Sequence, residues 1–188
     1  MIASDRIKKH IEVVKELLED ENSINLIEDI AWDIINCYRK GGKVLFCGNG
    51  GSAADAQHLA AELSGKFYKV RDPLFAEALH ANTSFLTAVA NDFGYDVVFQ
   101  RAVQAKGNEG DVLIGMTTSG TSKNIKNAII QAKYQKMMTI CFTGNNNNLD
   151  GICHELIKAP SNDVARIQEV HMLVGHIICE IVEDKLFW

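Results

Sequence analysis

His58 and Glu62 stand four residues apart in KVLFCGNGGSAADAQHLAAE, the stretch from Lys43 to Glu62. On a helix that spacing puts an imidazole and a carboxylate one turn apart on one face. Such a pair can hold a cation, move a proton, or do no more than solvate a helix surface. Near the other end of the chain, RIQEVHMLVGHII carries Gln168, His171 and His176, an unusual polar load for an apolar segment. Gln168 and His176 project within about 80° of each other and lie about 12 Å apart along a helix axis. Either their side chains lean together onto one ion, or a neighbouring subunit supplies one of them. For His171 the ordinary reading is kept, a buried imidazole bonded to a carbonyl. Two imidazoles, a carboxylate and an amide oxygen would suit a zinc-like ion, although glutamine is an uncommon ligand.

Two glycine- and hydroxyl-rich turns must position these groups. The apolar run Val44-Leu45-Phe46-Cys47 stops at Gly48-Asn49-Gly50-Gly51-Ser52, and a helical pattern begins at once, with Ala56, Leu59, Ala60 and Leu63 on one face. A buried strand, a glycine turn and a helix N-terminus together cradle anions. Ser52 has the chemistry of an N-cap, with Asp55 three residues on. The second unit repeats the order: Val112 to Met116, then Thr117-Thr118-Ser119-Gly120-Thr121-Ser122, then a helix with Ile125, Ala128, Ile129 and Ala132 inward. Hydroxyls and N–H groups at a helix start can surround a phosphate without any lysine or arginine. One such turn is ordinary capping chemistry; two, each after a buried strand, point to phosphate. Neither turn is a Walker loop, and GNGGSA does not meet G-x-G-x-x-G.

The rest of the chain supplies strands alternating with helices. Ile7, Ile11, Val14 and Leu18 mark a helix from about Asp5 to Asp20, and Ile27, Ile30, Ile34 and Tyr38 a second, ended by Gly41-Gly42. This helical pair either wraps the core or builds a subunit interface, and its apolar surface favours an oligomer. Gly65 to Tyr68 reads as a helix exit, Leu74 to Leu79 as a weak strand, and Thr83 to Ala90 as a short helix leading into the polar turn Asn91-Asp92-Phe93-Gly94. Met137 to Thr143 and Glu155 to Lys158 are further strands, and Val164 to Leu186 a long closing helix. The expectation is an α/β fold, a doubly wound parallel sheet flanked by helices and preceded by an N-terminal helical pair, forming one domain over 1–188 (helices in 1–40, α/β core in 41–188). In such folds ligands sit beyond the carboxyl ends of the strands, where both turns lie.

Composition excludes several classes. A chain of 188 residues with 47% hydrophobic and 23% charged residues suits a globular domain with a sizeable core. A net charge of −5 and no basic patch argue against nucleic acid as a partner. No apolar run approaches the ~18–20 residues of a membrane span, and MIASDRIKKH lacks a signal-peptide core. Five cysteines, an odd count without a C-x-x-C, fit buried thiols in a reducing cytoplasm.

The run GNGGSAADAQHLAAEL, with ANDFG, GDVLIGMTTSGTS and RIQEVHMLVGHII, resembles the bacterial phosphoheptose isomerases of the sugar-isomerase (SIS) domain family, over essentially the whole chain. The resemblance implies a SIS-type, flavodoxin-like fold and a cytoplasmic homotetramer with active sites between subunits. It implies interconversion of sedoheptulose 7-phosphate and D-glycero-D-manno-heptose 7-phosphate, the first step towards heptose for surface glycoconjugates such as lipopolysaccharide or capsule. One zinc ion per subunit would be held at His58, Glu62, Gln168 and His176. Substrate contacts would map onto Asn49, Gly50, Gly51, Ser52, Glu62, Asn91, Asp92, Thr117, Thr118, Ser119, Ser122 and Gln168. Lys66 stands where some relatives carry arginine, and Thr117 where others carry serine. The reaction moves a carbonyl between C1 and C2, so Glu62 would shuttle a proton through an enediol, with the metal or His176 as the electrophile. The rival reading is a non-catalytic SIS module that binds phosphosugars and acts on a protein partner such as the bacterial replication initiator. Retention of His58, Glu62, Gln168 and His176 favours the enzyme.

Overall fold

The computed structural model describes residues 1–187; Trp188, the last residue of the expected domain, lies outside them. Helices α1 (Ile2–Glu19) and α2 (Glu21–Arg39) precede β1 (Val44–Gly48), and α3 (Gly51–Ser64) leads to β2 (Ala76–Ala78). Next come α4 (Thr83–Phe93), a single 3₁₀ turn (Tyr95–Val97), α5 (Val98–Lys106), β3 (Val112–Met116) and α6 (Lys123–Tyr134). The chain closes with β4 (Met138–Thr143), β5 (Glu155–Lys158) and α7 (Val164–Leu186). Among the described residues no helix is long and apolar enough to cross a membrane.

All five strands are parallel, in the order β2-β1-β3-β4-β5. β1 and β3 carry buried residues at every position, as strands covered by helices on both faces must. Val44 and Phe46 point into one core with Ile114, Met116, Ile140 and Phe142, against α2, α3 and α7. Leu45, Cys47, Leu113 and Cys141 point into the other, against α5 and α6. Because β1 lies between β2 and β3, the chain reverses its winding direction between β1 and β3. The two glycine-rich turns leave these adjacent strands at the same end, which is where such sheets open a crevice.

His171 sits at 0% exposure on α7, its Nε2 bonded to the carbonyl of Thr143 at 3.1 Å, as expected from sequence. Burial pushes its pKa down to about 4, with the Thr143 carbonyl pulling the other way. The neutral ring is therefore favoured by folding, and protonation favours the unfolded chain. As pH falls from about 6.5 towards about 4, this residue should remove about 3 kcal/mol of stability, levelling off below. Denaturant titrations at pH 7 and pH 4.5 on the wild type and His171→Gln check this. The variant should lose that part of the slope, and an unchanged slope would sink the assignment.

Of the two places open to the α1 stripe, it takes the outward one: Ile7, Ile11 and Leu18 are 61%, 59% and 69% exposed, while Val13 and Leu17 dock the helix on the core. Three local expectations are corrected. Ser52 is not an N-cap. The flexible Gly50, at φ +57°, takes the N-cap position two residues earlier, so α3 starts at Gly51 and Ser52 is buried in its first turn. Asn91 and Asp92 lie in the last turn of α4 rather than in a loop, because nothing stops that helix until Gly94 at φ +88°. The strand expected over Leu74 to Leu79 shrinks to Ala76–Ala78 at the sheet edge.

Candidate active site and metal centre

Three of the expected site residues converge in space. Nε2 of His58 lies 3.0 Å from Oε1 of Glu62, one turn along α3, and 3.1 Å from Nε2 of His176 on α7. The apolar stripe of α3 turns Leu59, Ala60 and Leu63 into the core, which leaves His58 and Glu62 facing α7 and solvent. Two facing Nε2 atoms can share only one proton while both rings are neutral. Metal–nitrogen bonds of about 2.0–2.1 Å in a tetrahedral site put donors about 3.3 Å apart. The two spacings lie near that edge and all three donor atoms fall within 4.8 Å of one another, so two imidazoles and a carboxylate form a donor set that fits a zinc-like cation. Phe67 stacks on the His176 ring, with centroids 5.6 Å apart at 28°, and walls one side of the cluster. One turn before His58, burial raises the Asp55 carboxyl against the pull of His58.

Gln168 sits near the start of α7, about two turns before His176. Its amide lies against Gly51, where a Cβ would come within 2.3 Å of Nε2, and it lines a separate cavity of about 210 Å³. That cavity lies where the two turns were expected to form an anion cradle, and it is walled by Asn49, Ser52, Thr117, Thr118, Ser119 and Ser122. The hydroxyls are held in place: Thr117 Oγ1 and Ser122 Oγ are 3.2 Å apart, and Ser119 Oγ and Thr121 Oγ1 2.9 Å. Gly120, at φ +66°, makes the sharp turn between them. Gly50 and Gly51 shape the near rim, where any side chain on Gly51 would displace Gln168. Asn91 and Asp92 are exposed at the end of α4 and bonded to each other at 2.9 Å, not among the cradle's walls. Lys66 is exposed beyond the end of α3.

Two residues that the sequence reading missed join the two turns. Asn49 and Asn124 exchange amide hydrogen bonds of 2.9 Å in both directions, and Asn124 is buried. The Tyr95 hydroxyl donates to Asn49 Oδ1 at 3.1 Å. Asn124 is the second residue of α6, and a polar residue so close to a hydroxyl-rich turn was the available signal. Tyr95 left none, because its partner is 46 residues away.

A larger hollow, about 570 Å³, is lined by Asp33, Lys40, Lys133, Lys136 and His154 among others. It also touches Val112 and Met138, the first residues of β3 and β4, so it lies at the amino ends of the strands. The acid–base cluster and the cradle belong to the opposite end, where parallel sheets bind ligands.

Residues 7–144 match the family pattern described as the SIS domain. The chain is similar to phosphoheptose isomerase 2 of Campylobacter jejuni, 47% identical over 176 residues, covering 93% of this chain and 88% of that one. It is similar to the phosphoheptose isomerase of Aneurinibacillus thermoaerophilus, 44% identical over 189 residues, covering 98% and 96%. In structure it resembles phosphoheptose isomerase GmhA from Neisseria gonorrhoeae, with a TM-score of 0.89, 37% identity and 97% of each chain covered.

Proposed function

The chain belongs to the SIS domain family, among its phosphoheptose isomerases, and we propose that it interconverts sedoheptulose 7-phosphate and D-glycero-D-manno-heptose 7-phosphate. The observation that carries this reading is the pairing of a hydroxyl cradle with a His–Glu–His cluster across α3 and α7. A heptose 7-phosphate places its phosphate at one end of the carbon chain and its reacting carbons at the other, which is what two separate subsites require.

The cradle residues Asn49, Gly50, Gly51, Ser52, Thr117, Thr118, Ser119 and Ser122 hold the phosphate through N–H and O–H donors. That remote grip positions C1 and C2 before any chemistry begins. Glu62 removes the proton from C1 of the ketose, C1 and C2 become the enediol carbons, and the same carboxyl returns the proton to C2. The C1–H electron pair becomes the C1–C2 double bond while the C2 carbonyl pair moves onto O2, which takes up a proton. The O1–H pair then becomes the C1 carbonyl, the C1–C2 pair bonds the proton returned to C2, and the O1 proton restores the group that protonated O2. Oε1 of Glu62 faces His58, which leaves its second oxygen for the proton. The electrophile towards the oxygen that gains charge as the enediol forms is either His176, donating a proton, or a metal held at this cluster, because one ring nitrogen cannot serve as donor and as ligand at once. His58, Glu62 and His176 would hold a zinc ion, with Gln168 as the fourth donor supplied by a neighbouring subunit. When bound, the ion supplies Lewis-acid polarisation of the C1 and C2 oxygens.

The same reading makes the molecule a cytoplasmic homotetramer with sites between subunits, each chain one domain, and Asn91 and Asp92 reaching the site of another chain. Its support is the outward apolar stripe of α1 and the half-exposed His58 ring. The non-catalytic binding module is not favoured, since the complete acid–base cluster would then have no use.

The test is an assay of the purified protein with sedoheptulose 7-phosphate, before and after chelation and with zinc restored, on material sized by light scattering. Conversion that chelation removes and zinc restores, from a particle of about four 20.8-kDa chains, is expected. Conversion indifferent to chelation would overturn the metal role. No conversion by folded protein would overturn the isomerase.

A further inference from the structure

Beyond the cluster, the last turn of α3 meets a buried ion pair that contacts neither cavity. We propose that Arg71 and Glu183 are positioning residues, which lock the carboxyl end of α3 and the segment after it onto α7 and so set Glu62 and His176 against each other. The proposal rests on the isomerase reading of that cluster.

Both side chains are 2% exposed, and Arg71 Nε donates to Glu183 Oε2 at 2.9 Å. A buried charge pair survives only when its remaining hydrogen-bonding capacity is met. Here it is met by the chain on either side of the site. Glu183 also accepts the backbone N–H groups of Phe67 (3.1 Å), Tyr68 (2.8 Å) and Lys69 (2.5 Å). Arg71 spends its two terminal nitrogens on the end of α3: Nη2 donates to the carbonyl of Glu62 at 2.9 Å, and Nη1 to that of Leu63 at 2.9 Å. These carbonyls belong to the last turn of a helix, which has no later N–H groups of its own to satisfy them. The guanidinium also places its charge at the negative end of the helix dipole.

Two consequences reach the reacting groups. The backbone of Glu62 itself is tied, so its carboxylate has a fixed origin opposite His176. The three N–H bonds to Glu183 fold residues 67–69 back over α7, which brings the Phe67 ring onto the His176 imidazole. Glu183 stands seven residues after His176, two turns down the same helix face. An arginine near a sugar-phosphate site invites a role in gripping phosphate. The burial of Arg71 and the use of its donors on Glu183 and on backbone carbonyls assign it to alignment instead.

The experiment compares the wild type with Arg71→Lys, which keeps charge but loses the planar fork, and with Glu183→Gln. Phe67→Leu serves as a third variant that leaves the ion pair in place and removes only the stack. Each is assayed for kcat and KM, and its imidazole nitrogen resonances are recorded by NMR after ¹⁵N-histidine labelling. A misplacement of this kind costs about 10²-fold in rate, so kcat should fall by about that factor with KM unchanged, because the cradle is untouched. The resonances of His58 and His176 should move, while that of His154, at the opposite end of the sheet, stays. Folded variants with wild-type kcat and unmoved His58 and His176 signals would make the pair merely structural and overturn the proposal. If the two ion-pair variants fail to fold, Phe67→Leu decides: unchanged kcat and an unmoved His176 signal would overturn it. A wild type that turns over nothing, with resonances that still move in the variants, would sink the reaction and leave the alignment standing.

Discussion

Glu62→Gln should lower kcat by about 10³-fold, within the range that a positioned acid–base group contributes, while KM for sedoheptulose 7-phosphate stays near the wild-type value. The amide keeps the size of the carboxylate and can still face His58 at the 3.0 Å now seen, but it cannot accept the C1 proton. Binding should persist because the phosphate cradle is built from other residues, in the turns after β1 and β3. Zinc content measured on the same samples separates the two roles of this side chain. Lost turnover with metal retained assigns the proton transfer to Glu62, and lost metal with lost turnover assigns it first to ligation. A variant that turns over normally would remove Glu62 from the chemistry altogether.

The second large effect should come from one methyl group. A Cβ on Gly48 would stand 2.3 Å from the carbonyl oxygen of Ser52 and 2.5 Å from its carbonyl carbon, both backbone atoms in the first turn of α3. A flexible side chain could step aside, but a helix turn cannot without moving Asn49 to Ser52 with it. Gly48→Ala should therefore cost about 3 kcal/mol, the upper part of the usual range for overpacking, and should raise KM more than it lowers kcat. Thermal unfolding and steady-state kinetics check the two halves. An alanine variant with unchanged melting and KM would mean that the turn is softer than its contacts indicate.

The chemistry was more legible in this chain than the scaffolding that aligns it. The two glycine turns announce themselves because each local sequence has one structural solution, a strand ending against a helix start. His58 and Glu62 share a helix face, so their contact is a matter of spacing, and His176 joins them once α3 and α7 pack. Which face α1 would bury was not readable. Ile7, Ile11 and Leu18 form as regular a stripe as any core-facing helix, and only the docking through Val13 and Leu17 shows that it points out. α5 left a readable pattern, Val98, Phe99, Ala102 and Val103, that was passed over. The Asn49–Asn124 exchange, the Tyr95 bond and the Arg71–Glu183 pair join residues 46 to 112 positions apart, and no local pattern encodes such pairings. Gln168 shows the limit of spacing arguments: its helix position lets it lean towards His176, and its amide rests against Gly51.

The separation of His58 from His176, 118 residues along the chain, has a consequence for folding. The cradle takes Val164 and Gln168 of α7 into its wall, and the acid–base cluster and the ion pair behind it need α7 as well. Both subsites therefore wait for α7 to pack. Closing a loop of that length is also among the slower events in folding. Activity in this molecule is then set by the docking of α7 against α3.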